Sequence, residues 1–140
     1  MRHLCLALVL VVAGPAGAAA AADRAKAHVS CAPAGAALTY DCAIRLTDAA
    51  TGAPLAGVAI TVGAEMPSMP MAHNVPPARA VPGGEPGLYR VRLTLEMHGE
   101  WAIRLRLAGP ARDQIFTHLH FTAAEVTPAG GDKPASGHRH

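Results

Sequence analysis

Residues 87–97, "GLYRVRLTLEM", decide the fold. Tyr89, Val91, Leu93, Leu95 and Met97 alternate with Arg90, Arg92, Thr94, Glu96 and then His98. A period of two puts every apolar side chain on one face and every polar one on the other, as in a strand that buries one side of a sheet. On a helix the same residues would be scattered around the axis. The pattern returns at once in "WAIRLRL", where Trp101, Ile103, Leu105 and Leu107 oppose Arg104 and Arg106. The short "HGE" between the two runs, residues 98–100, reads as a hairpin turn.

Working outward, "TYDCAIRLTD" from Thr39 sets Tyr40, Cys42, Ile44 and Leu46 against Asp41, Arg45 and Thr47. "AKAHVSCA" around Val29 and "GVAITV" around Ile60 read as further strands, and in "DQIFTHLHF" Ile115, Leu119 and Phe121 share one parity. Turn-rich pieces separate them, "DAATGAPLAG" at 48–57 and "PGGEPG" at 82–87. No helical period occurs after the first residues. Six or seven short antiparallel strands in one domain predict an all-β fold, an immunoglobulin-like antiparallel β-sandwich with Trp101 in its core.

The ends lie outside that domain. Residues 1–22 begin with a short basic stretch, continue with the apolar "LCLALVLVVA" and finish on small residues up to Ala22. This is the pattern of a secretory signal peptide, and the run is too short and too broken for a comfortable membrane span. Cys5 lies inside the apolar run, which argues against a lipoprotein anchor. The sandwich is expected over residues 23–124. Residues 125–140, rich in Pro and Gly and ending in "GHRH" with His138 and His140, read as a disordered tail able to scavenge metal weakly. Export predicts a periplasmic or secreted protein. There Cys31 and Cys42, flanking a "PAG" turn, favour a disulfide pinning the first hairpin over two free thiols or a thiolate metal site. The formal net charge is +2 and the basic residues are spread along strands. That excludes the charge footprint of a nucleic-acid binder.

Chemistry concentrates in residues 65–73, "EMPSMPMAH". Met66, Met69 and Met71 are three of the five methionines, Pro67 and Pro70 prevent regular structure, and His73 closes the run. From Val62 to Tyr89 the chain reads mostly as one long loop, and such loops are usually functional or disordered. Thioether sulfur and imidazole nitrogen suit Cu(I). The competing reading is that the methionines plug the open end of the sandwich. Met97 and His98, "EMHGEW", are a second candidate, although taken alone an ordinary turn histidine is the simpler reading of that motif. His118 and His120 are a third, because residues i and i+2 of a strand share a face and can reach one metal. Catalytic frames are missing: there is no GxSxG, P-loop, HExxH or CxxC, so no enzymatic activity is expected.

The blocks "YDCAIRLTDAATGAPLAGVAITVGAEMPSMPMAH" and "GLYRVRLTLEMHGEW", followed by "IRLRL", resemble the YtkA-like family, which overlaps FixH-like proteins. The resemblance covers about residues 29–107. It implies a small exported β-sandwich with a role in copper or heavy-metal handling, the metal-binding elements falling on Met66, Met69, Met71 and His73 and on Met97 and His98. A copper chaperone or buffer with a copper exporter or cuproprotein as partner is the function so implied. The alternative is a metal-free structural or interaction module of an export or efflux assembly. The chain departs from the membrane-integral FixH-like pattern in having no retained transmembrane span.

Overall fold

The alternating runs form strands, as their period requires. The structure is a computed structural model and describes residues 24–71 and 75–130; the expected signal peptide, His73, His138 and His140 lie outside the described residues. The strands are β1 (Ala25–Pro33), β2 (Thr39–Asp48), β3 (Ala59–Glu65), β4 (Ala78–Arg79), β5 (Val81–Pro82), β6 (Leu88–Thr94), β7 (Gly99–Ala108), β8 (Asp113–Phe121) and β9 (Val126–Pro128). They build two sheets, β1-β2-β6-β5 and β4-β3-β7-β8-β9, with antiparallel neighbours throughout. This is a β-sandwich of immunoglobulin-like order.

The inward faces carry the predicted residues. Trp101, Ile103, Leu105, Ile44, Leu46 and Phe121 are fully buried, and Tyr40 and Leu93 nearly so. Burying such a side chain contributes about 1.5–3 kcal/mol each. The buried hydroxyls have partners: Tyr40 donates to the Thr122 carbonyl, and Tyr89 donates to Leu55 O while accepting from Val58 N–H. No charged or polar residue is buried among the described residues. Cys31 and Cys42 are direct cross-strand partners and form the expected disulfide.

Three expectations need correction. Residues 98–100 do not close a hairpin: β6 pairs with β2 and β5, whereas β7 pairs with β3 and β8. The chain crosses between sheets there. Each run has a whole apolar face to bury, and opposite sheets let Leu93 and Leu95 pack into the same core as Trp101 and Ile103. The crossing also ends the alternation, leaving Met97 partly exposed while its carbonyl accepts the Trp101 indole N–H. Second, the long loop is interrupted. β4 pairs with β3 and β5 with β6, with only Ala80 between them, so this edge segment passes from one sheet to the other. Pro76, Pro77 and Pro82 keep it short, since each removes a ladder donor. Third, the ordered domain extends past residue 124. Thr122 closes a tight turn with Glu125, and β9 then pairs with β8.

Candidate functional site

The site begins with register. On the outward face of the larger sheet, Glu65, Ala102 and His118 form one cross-strand row, and Gly63, Arg104 and Phe116 the next. Glu100 and His120 form the row on the other side of Ala102. Ala102 points outward yet is only 7% exposed, because the segment leaving β3 folds over it. A groove of about 550 Å³ results, floored by Ala102 and lined by Glu65, Met66, Pro67, Met69, Pro70, Met71, Phe116 and His118.

The loop reaches this position through a turn and an anchor. Met69 N–H donates to Met66 O at 3.1 Å, closing a turn with Pro67 at its second position, where a fixed φ is favourable. Met66 is 5% exposed and belongs to the core. Its Cε lies so close to Gly99 that a Cβ there would stand 3.3 Å away, and Gly99 has φ +135°. Glycine therefore lets the Met66 loop and the β6–β7 crossing meet. Beyond the anchor, Met69 is 38% and Met71 100% exposed. Met71 has φ 72°, a conformation that costs an L-residue about 1–2 kcal/mol.

Charge in the groove is already paired. Arg104 reaches Glu65 at 2.6 Å, its guanidinium lying over Gly63, where any Cβ would touch it at 3.3 Å. His118 Nδ1 lies 3.4 Å from Glu100 Oε1. A carboxylate at one ring nitrogen orients an imidazole and leaves Nε2 for a ligand.

The three loop methionines and His118 thus border one groove. His120 shares the outward face of His118, one row away. Met97 and His98 do not border the groove, although their turn touches the loop at Met66; His98 instead lines a separate hollow of about 220 Å³ with the β1–β2 turn. Reasoning from the sequence missed Phe116 and Ala102. Phe116 has the parity of His118 and His120, so an aromatic ring on a polar face was the available signal. Ala102 carried none.

Among the described residues, no three His, Cys, Asp or Glu side chains are grouped to hold a metal ion. A metal bound by these residues must therefore use thioether sulfur. Met69, Met71 and His118 fit a soft ion of low charge, and fit Mg²⁺ or Ca²⁺ poorly.

The fold and groove define a class: an immunoglobulin-like domain with a thioether-walled groove on one sheet. The YtkA-like family model matches residues 20–106, and the chain belongs to that family. No curated protein and no solved structure matches it. The match ends within β7, so the Met-bearing wall of the groove lies inside it and the β8 wall, with Phe116 and His118, lies beyond it.

Proposed function

We propose that this protein is an exported copper-binding accessory domain, a chaperone or buffer that holds Cu(I) in the groove. The observation that carries the proposal is the loop 66–71 folded across Ala102 to share a groove with His118. Met66 anchors the loop, and Met69, Met71 and His118 supply the donors. Two thioethers bind a soft monovalent ion reversibly, and an imidazole adds strength and position. The activity is binding and transfer, with no catalytic step. The full exposure of Met71 suits ion exchange with a copper exporter or cuproprotein. The Cys31–Cys42 disulfide supports an oxidising compartment such as the periplasm. No helix among the described residues is long and apolar enough to cross a membrane.

The test is a Cu(I) titration against a chromogenic chelator. Met69→Leu/Met71→Leu/His118→Ala weakens binding by at least about tenfold, the scale on which metal sites respond to lost support, and Met97→Leu/His98→Ala leaves it unchanged. A triple variant that binds as tightly as the parent overturns the reading. The exposure of Met69, Met71 and Phe116 also favours a second reading, an adaptable contact surface for a protein partner. A pull-down partner retained under strict metal depletion selects that one.

A further inference from the structure

Four of the five aromatic residues are in the core: Tyr40, Tyr89, Trp101 and Phe121 are each at most 3% exposed. Phe116 is 48% exposed, on the face whose other β8 residues are Gln114, His118 and His120. The core gives no reason for it, since Ile115, Leu119 and Phe121 already fill the inward side of β8. Its ring borders the groove together with Met69, Met71 and His118. Arg104, its direct cross-strand neighbour, is the cation best placed to use the ring, but the Arg104 guanidinium extends the other way, over Gly63 to Glu65. The same ion pair neutralises the one carboxylate lining the groove.

We infer that Phe116 is a further binding residue of the groove, supplying a π-face to a singly charged soft cation, Cu(I) or Ag(I). An aromatic face attracts a cation that has lost part of its hydration. The remaining donors are two thioethers and an imidazole, a set whose softness suits Cu(I) and Ag(I) better than harder divalent ions. This inference rests on the copper reading but concerns a residue beyond the family match.

Ag(I) and Cu(I) affinities of the full chain are measured by competition for the parent, Phe116→Leu and Phe116→Trp. Leucine keeps an apolar side chain and removes the π-face, and it weakens both ions by about two- to thirtyfold. Tryptophan binds at least as tightly, and its emission changes on addition of Ag(I); the parent, whose Trp101 is fully buried and does not line the groove, shows no such change. If the parent binds neither ion, the copper reading and this inference fall together. If the parent binds and Phe116→Leu matches it, only the inference falls. A weaker leucine variant with no emission change in the tryptophan variant makes Phe116 a packing residue, and that also overturns it.

Discussion

The outer faces of the two sheets come from the same alternating code and end in opposite states. On the smaller sheet, polar side chains satisfy one another in the open. Arg92 bonds Asp41 through Nε and Nη2 at 2.7 and 3.0 Å, and Arg45 reaches Glu85 at 3.4 Å. On the larger sheet a small residue, Ala102, lies on the middle strand β7, and a proline-stiffened loop covers it. One face is finished by its own strands and the turn that carries Glu85. The other is completed by a segment that carries sulfur and has room to admit something else. A sheet acquires a site where register sets a small side chain among larger ones and a neighbouring loop can lie down over it.

The largest effect comes from breaking what the two faces share. Trp101→Ala removes the central buried indole and destabilises the domain by about 3–5 kcal/mol, read by denaturant unfolding; a loss below 1 kcal/mol would show the sheets to be less interdependent than their common core implies. The disulfide comes next and belongs to the smaller sheet alone. Cys31→Ser/Cys42→Ser lowers stability by about 3 kcal/mol, the chain-entropy value for a loop of this length, while the Cu(I) affinity of the folded protein is unchanged. A simultaneous loss of affinity would join the two faces that the structure keeps apart.

A smaller effect divides the loop itself. Met66→Ala costs about 2 kcal/mol because it empties a core position, whereas Met71→Ala stays within about 0.5 kcal/mol, as exposed substitutions do. Equal costs would contradict the assignment of one methionine as anchor and the other as donor. The smallest effect concerns charge. The hydrogen bond from Arg92 holds the Asp41 carboxyl below its ordinary value of 3.8. A depressed carboxyl stabilises the folded state above its unfolded value, and that contribution disappears as the pH falls from 3.8 through the folded value. Arg92→Gln therefore flattens the acid limb of a stability–pH curve. The limb due to Asp48 remains, because its carboxyl is lowered by the backbone N–H groups of Thr51 and Ala50. An unchanged slope would remove Arg92 from the account.

Much of this was legible in the sequence. Alternation identified the inward residues of β2, β6 and β7 and placed His118 and His120 outward. Alternation does not say which sheet a strand joins, so residues 98–100 looked like a hairpin when they are a crossing. β4, β5 and β9 escaped for a related reason: strands of two or three residues are defined by their partners, and their prolines read as loop. The methionine loop was visible as soft chemistry from its composition. Its meeting with His118 was not, because that depends on the register of three strands and on the size of Ala102. The second candidate, Met97 and His98, does not border the groove.

One consequence follows from β1. It is the outermost strand of its sheet and nine residues long, with one edge of its backbone unpaired by β2. A terminal strand of that kind can peel away and be exchanged between copies, or template their aggregation. The bond from Cys31 to Cys42 fastens it near its C-terminal end. Beyond its share of thermodynamic stability, that covalent tie keeps each molecule's first strand its own, so oxidation guards each chain against strand exchange as well as against unfolding.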